Sequence, residues 1–360
     1  MCKMAHFGNC DPETADREYC IFHKPNKSEE EAVEFYRKFL ERFKPRVEEI
    51  EVEGQKIKRL VFEKPVDARG FVFPKLELLF GLSIFNGNSD FRFSIFEKYA
   101  NFSGAVFKKT ANFGGAVFRK YADFSGARFL DRAYFWEVVF WNYCDFVRTE
   151  FQKDVTFWHA EFKRYADFTD ASFGGILHFE GNIIRGIRFD NAKFTDPRGE
   201  KSAYGILRKY HESEGDRESA DYAFVLEMRA KRRARIKNAR TKLEKLKAHT
   251  HNFIEWLLAD LPSEYGTNWV RLFLFSLLVI IGNAVPYTLW SAYIEGFPQS
   301  SNYLLRFANA LYYSLVTFTT LGYGDMHPTG WLKALSALEA LTGAVFMALI
   351  VAVIARKWMR

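Results

Sequence analysis

Cysteine is scarce, with four residues in a chain of 360, at positions 2, 10, 20 and 144. No cleavable signal peptide precedes them, so a disulfide framework is not expected. The common catalytic signatures are missing too. There is no phosphate-cradling Gly-Lys-Ser/Thr loop, no zinc-protease His-Glu pair and no nucleophile elbow, and an enzyme is therefore not expected.

What is present is unevenly spread. Hydrophobic residues make up 48% of the chain, yet mean hydropathy is −0.20. That average conceals an aromatic middle, rich in the chain's 38 Phe, and an aliphatic C-terminal end. Such a length allows two or three domains. The net charge is +7, and residues 229–247 alone carry ten Lys or Arg against one Glu. Because this run stands just before an apolar stretch, anionic lipid headgroups are its expected partner and nucleic acid is not.

From Phe80 to Phe179, phenylalanines alternate in steps of five and six residues, giving a period of eleven. On a helix those steps advance about 140° and 240°, scattering the rings over opposite faces, so a helical bundle is excluded. Around each second Phe the chain reads Ala, Asn or Asp, Phe, as in Ala100-Asn101-Phe102 and Ala122-Asp123-Phe124. Ala and Phe two apart share one side of a strand. Short strands separated by turns can coil so that Phe stacks on Phe in successive layers, which is a solenoid. The unit resembles the pentapeptide repeat, whose family folds as a right-handed quadrilateral β-helix. Two units per turn imply roughly five coils over 80–196, with the register weakening at Ile184. Cys144 stands where Ala is usual and is expected in the core. Some pentapeptide-repeat proteins mimic DNA with an acidic surface; between 97 and 196 this chain has fourteen Lys or Arg against thirteen Asp or Glu, which disfavours that role.

Leu272–Ile294 runs 23 residues without a charge, about 34 Å as a helix and enough to cross a bilayer. Ala334–Ala355 is a second such run, with Glu339 its only charge. Between them Phe307–Gly324 is also uncharged, but its helical part is about twelve residues, roughly 18 Å, and predicts a re-entrant helix and loop instead of a third crossing. Irregular backbone is tolerated at that depth only where it is buried in protein or lines a polar cavity. In Thr320-Leu321-Gly322-Tyr323-Gly324 the alternating glycines permit a backbone that aims successive carbonyl oxygens one way.

The segment Thr319, Thr320, Leu321, Gly322, Tyr323, Gly324, Asp325 resembles the potassium-channel selectivity filter, whose reference loop is TVGYG, with Leu321 in the place of Val. The resemblance implies carbonyl ligands for K+ from Thr320, Leu321, Gly322 and Tyr323, and bracing of the filter by Tyr323 and Asp325 through Tyr313. It also implies a gating hinge at Gly343 and a pore completed by three further copies of the chain. The basic cluster before the first span and Arg356, Lys357 and Arg360 after the second place both termini in the cytoplasm of a multi-pass cell-membrane protein. No Arg-rich helix precedes the first span, so a dedicated voltage sensor is not expected. No sensing domain follows the second span, so any cytoplasmic sensor is expected on the N-terminal side of the pore.

Near the start, Cys2, Cys10, Cys20 and His23 suit a tetrahedral Zn2+ of structural role, with His6 a substitute for Cys2. Ser28, with Glu31 at the capping-box position, predicts a helix to about Phe43, and residues 47–64 a strand pair closing the first coil. Beyond the repeat, a helix, a turn at Gly215-Asp216 and a second long helix are expected. Ile236, Ala239, Leu243, Leu246, Thr250 and Phe253 keep heptad spacing, compatible with a stem or with an amphipathic helix lying on the membrane.

The expected architecture is multidomain. It has an N-terminal zinc-binding-like segment (1–79), a β-helix (80–196), a helical connector (197–267) and an all-α two-span pore domain with a re-entrant pore helix (268–360). The β-helix is read as a cytoplasmic platform for assembly, gating, or a protein or ligand partner. A potassium-selective channel is the first reading; a non-selective cation channel and a membrane-tethered scaffold are the alternatives.

Overall fold

The computed structural model describes residues 1–52, 54–74 and 80–358, so Arg360, counted in the charge argument, lies outside the described residues. The chain divides into two compact units, 1–238 and 239–360.

The first unit is built on a β-solenoid. Helix α1 (Glu29–Phe43) opens with the expected capping box, Ser28 and Glu31 each bonding the other's backbone. An antiparallel pair, β1 (Arg46–Val52) and β2 (Gln55–Phe62), follows. From β2 onward two-residue strands stack in parallel ladders on four faces. Partners lie 22 residues apart in the middle coils, as in Ala111 with Ala133 and Val117 with Val139, and 23 apart in the first, as in Val66 with Ser89. Three ladders begin upstream of Phe80, at Val61, Val66 and Val72. The Val66 and Val72 ladders contain six strands each, giving about six turns where the Phe count suggested five.

The repeat is legible in physical terms. In the middle coils each Phe stacks on the one a turn away; the centroids of Phe91, Phe113, Phe135 and Phe157 are 5.0, 5.1 and 4.9 Å apart in succession, close to the spacing of hydrogen-bonded strands. The Asn or Asp before the Phe turns its carboxyl or amide oxygen back to accept the N–H two residues on. Examples are Asn101 to Ser103 and Asp123 to Ser125, both 2.9 Å, an Asx turn that starts each corner. One residue in eleven, from Leu82 through Phe93, Gly104 and Gly115 to Gly181, has left-handed backbone. Glycine fits that conformation freely, and the other residues hold it at a cost of about 1 kcal/mol or more. Cys144 lies in a column between Ala122 and Ala166 and is buried; burial pushes its thiol pKa up. At Ile184 the phase changes as expected: Ala166 pairs with Ile187, only 21 residues on.

Two antiparallel helices, α2 (Pro197–Glu214) and α3 (Arg217–Asn238), follow at the far end, separated by Gly215 as expected. Asp196 caps α2 by accepting from the Arg198 N–H. Among helix contacts with the solenoid, α2 meets the rung Leu177–His178 so closely that a Cβ on Gly199 would lie 2.8 Å from the Leu177 nitrogen.

In the second unit α4 (Lys242–Glu255) starts afresh at a Thr241 capping box. The heptad read from Ile236 to Phe253 therefore does not lie on one helix, because the chain leaves helical geometry from Ala239 to Thr241. A π-helical turn (Trp256–Asp260) leads to α5 (Leu261–Ser263). Helix α6 (Trp269–Leu289) is the first span; it begins before the expected Leu272 and ends short of Ile294, where the chain forms a tight turn and a two-residue strand. Helix α7 (Tyr303–Phe318) has 16 residues, about 24 Å, longer than expected but still short of a crossing. The second span is α8 (Leu332–Trp358). Both α6 and the Leu332–Ala355 part of α8 are long and apolar enough to cross a membrane.

Candidate pore and metal centre

Helix α7 is capped by Asn302, whose side chain accepts from the Leu304 N–H at 2.9 Å. It ends at Thr319, and Leu321 still donates its N–H back to the Val316 carbonyl. Beyond that the backbone alternates, with Thr320, Gly322 and Gly324 left-handed at φ of 59°, 54° and 77° and the residues between them not. This is the alternation that the two glycines suggested, extended by one residue to Thr320. Thr320 through Asp325 are all exposed in the single chain, Leu321 at 60% and Tyr323 at 68%.

The loop is anchored on both flanks. Asp325 accepts a hydrogen bond from the Tyr312 hydroxyl at 3.0 Å, and this corrects the expectation that Tyr313 would brace it. Neighbouring residues on a helix point about 100° apart, and Tyr313 turns inward to Ser336. After the loop, His327–Pro328 pairs antiparallel with Ile294–Glu295, and the Tyr293 carbonyl accepts from both the N–H and the hydroxyl of Thr329.

Behind the loop lies a polar cluster that the residue pattern alone did not reveal. Glu339, notable in the sequence only as the lone charge of its span, is 2% exposed. Its carboxylate accepts from the Tyr287 hydroxyl at 2.7 Å and from Ser314. Ser336 lies 3.1 Å from the Tyr287 hydroxyl and 3.0 Å from that of Tyr313. One consistent assignment has Tyr313 donating to Ser336, Ser336 to Tyr287 and Tyr287 to Glu339. The cluster joins α6, α7 and α8, and an ionisable residue inside a span was the signal that could have found it.

Gly343, the expected hinge, sits in unbroken helix and is buried. A Cβ there would fall on the Phe318 carbonyl oxygen and lie 2.6 Å from the carbonyl carbon, so α8 passes against the last turn of α7 at this point.

Residues 274–360 match a family model described as "Ion channel". The C-terminal unit is an ion channel domain. Residues 80–127, 91–139 and 113–161 match a model described as "Pentapeptide repeats (9 copies)". The chain thus joins a pentapeptide-repeat solenoid to an ion channel domain, not to an enzyme, and the channel domain carries two apolar helices of membrane-spanning length. No curated protein matches the chain, and no solved structure does.

At the N-terminal end of the channel protein, the donor atoms of Cys2, Cys10, Cys20 and His23 all lie within 4.8 Å of one another. The three sulfurs stand 3.7, 3.8 and 3.0 Å from His23 Nδ1, comparable to the edge of about 3.5 to 3.8 Å that zinc bond lengths give a tetrahedron. His6, the alternative ligand, is not in the cluster. His23 Nε2 is 3.3 Å from the Arg69 carbonyl and donates to it, which leaves the Nδ1 lone pair facing the sulfurs. Burial holds the imidazole pKa down at about 4, so the ring is neutral, as a metal ligand must be. The donor set fits a thiophilic divalent cation.

Proposed function

We propose that the chain is a potassium-selective channel assembled from four copies. The observation that carries this reading is the alternation of left-handed residues at Thr320, Gly322 and Gly324, in a loop whose sequence is that of a potassium filter. Alternation of this kind lets the carbonyls of Thr320, Leu321, Gly322 and Tyr323 face one axis, where they replace the water shell of a dehydrated K+. One loop offers one side of such a cage. Three further chains would complete it, and the exposure of residues 320–325 in the single chain is what that assembly needs.

Asp325, held by Tyr312, and Thr319, at the end of α7, would fix the loop's two ends. Both chain termini are proposed to be cytoplasmic, with the basic run at 229–247 against anionic headgroups. Opening is proposed to act on α8 near Gly343. Cys2, Cys10, Cys20 and His23 would hold Zn2+, which supplies a cross-link tying the first 23 residues to the solenoid through the Arg69 carbonyl.

The deciding experiment is the reversal potential of purified protein in planar bilayers, with a potassium gradient and sodium opposing. Reversal near the potassium equilibrium potential, lost in Gly322→Asp, is the expected result. Reversal near zero would replace this reading with a non-selective cation channel.

A further inference from the structure

Helices α2 and α3 do not seal the end of the solenoid. Between them and the last rungs, Leu177–His178 and Ile183–Ile184, lies a cavity of about 890 Å3, towards the large end of the range for small-molecule sites. It belongs wholly to the first unit, so a ligand held there is independent of which ion the pore selects.

Its lining is unbalanced in charge. Six cations, Arg198, Lys201, Arg208, Lys209, Lys231 and Arg235, face two carboxylates, Glu180 and Glu227. Some of that charge is already matched. Arg198 is paired with Asp196 at 2.8 Å, and Arg208 with Glu227 at 2.8 Å and Glu212 at 3.0 Å, so Glu227 is engaged by an arginine. Lys201, Lys209 and Lys231 have no ion pair among the described residues. One further group points the same way. Asn182, also in the lining, accepts the Ala160 N–H at 2.8 Å through Oδ1, while its Nδ2 is buried with no partner. A buried donor without an acceptor is unfavourable, and a small rotation of the amide toward the cavity would bring it to a ligand oxygen. Unmatched cations and an orphan donor call for a ligand with several anionic oxygens. Part of the wall is apolar and aromatic, with Ile176, Phe179, Ile184, Ile206 and Tyr210, suited to a flat uncharged moiety and not to a bare ion.

We propose that this cavity binds a phosphorylated small molecule of nucleotide size, its phosphates held by Lys201, Lys209 and Lys231 and its base against Tyr210 and the isoleucines. The cavity reaches Asn238, the last residue of α3, after which the chain runs on into the channel unit.

The test is a titration of the full-length protein in detergent at moderate salt with ATP carrying a fluorescent label on the ribose. Saturable binding is expected. The triple variant Lys201→Gln/Lys209→Gln/Lys231→Gln should weaken it about tenfold or more, three partly screened charge contacts acting together. All three lysines are exposed, so the fold should hold. A matched triple, Lys242→Gln/Lys245→Gln/Lys247→Gln, removes the same charge from the basic run outside the cavity and should change affinity by less than about twofold. Equal weakening by both triples would overturn the proposal, reducing it to attraction of any polyanion, and so would the absence of saturable binding. Displacement by inorganic tripolyphosphate as effective as by unlabelled ATP would overturn the nucleotide assignment.

Discussion

Replacing Gly343 by Ala separates two roles that glycine can have in a span. If the residue serves only as a flexible point, Ala should stabilise the helix, because Gly is the poorer helix former by about 0.8 to 1 kcal/mol. The structure gives the opposite sign. A Cβ at 343 would overlap the Phe318 carbonyl oxygen and come within 2.6 and 2.9 Å of its carbon and Cα. Ordinary carbon contacts need about 3.5 Å or more, so α8 and the end of α7 must separate by about 1 Å. Overpacking of that kind costs about 1 to 3 kcal/mol, which exceeds the helix-propensity gain over most of its range. Phe318 is followed directly by Thr319 and Thr320, so the displacement reaches the filter loop. Two readouts are needed: the melting temperature of the purified protein, and the reversal potential under a potassium gradient. A lowered melting temperature with a reversal shifted toward zero is expected. A raised melting temperature with unchanged reversal would refute the packing argument and leave the hinge alone.

Cys20→Ser should abolish the one zinc per chain expected by elemental analysis of the purified protein, and lower the melting temperature of the first unit; full zinc content in the variant would count against the site. Phe113→Ala removes a ring stacked on both sides and should cost about 3 to 5 kcal/mol in chemical denaturation, whereas Trp141→Ala, on the exposed surface, should cost about 0.5 kcal/mol or less. The Arg198 guanidinium beside Asp196, with Lys237 at 3.0 Å, holds that carboxyl below the usual Asp range. A depressed native pKa gives stability that is complete above the unfolded value of about 3.9 and is lost as pH falls below it. The melting temperature should therefore drop from about pH 4 downward, with a shallower slope in Asp196→Asn; identical slopes would contradict this assignment.

Much of the solenoid could be read from its residues because each coil presents the same side chain to the same interior. The five-and-six spacing of Phe, the small Ala two places earlier and the Asn or Asp between them are all local. Its beginning could not be read, since the first rungs carry Val66 and Val72, and nothing local marks them as part of a ladder. The capping box at Ser28 and the turn at Gly215 were visible for the same reason of locality. The heptad from Ile236 was misleading: spacing continues across a break that Thr241 makes by capping a new helix. In the channel unit the filter loop was legible, but the role of Glu339 was not, because its partners Tyr287 and Ser314 stand 52 and 25 residues away. The choice between Tyr312 and Tyr313 depended on the rotation of α7, which sequence does not give. The loose spacing of Cys2, Cys10 and Cys20 becomes a compact cluster through bonds that spacing does not show, among them Cys20 N–H to Cys2 Sγ and His23 to the Arg69 carbonyl of the first coil.

The left-handed residue that recurs every eleven positions from Leu82 to Gly181 gives the middle of the solenoid a fixed step, so a whole turn is the natural unit by which it lengthens or shortens. Excising a full 22-residue turn would leave each ladder in phase and merely shorten the stack, whereas loss of a single residue has to be absorbed at a corner. Such a loss is present between Ala166 and Ile187, and the chain takes it up before the next rung, since Phe189 and Phe194 still stack on Phe168 and Phe173 at 5.0 Å. A rod of adjustable but quantised height, set between an N-terminal cap and a chain that leads to a channel, can be lengthened or shortened by duplication or loss of one turn without redesign of either end.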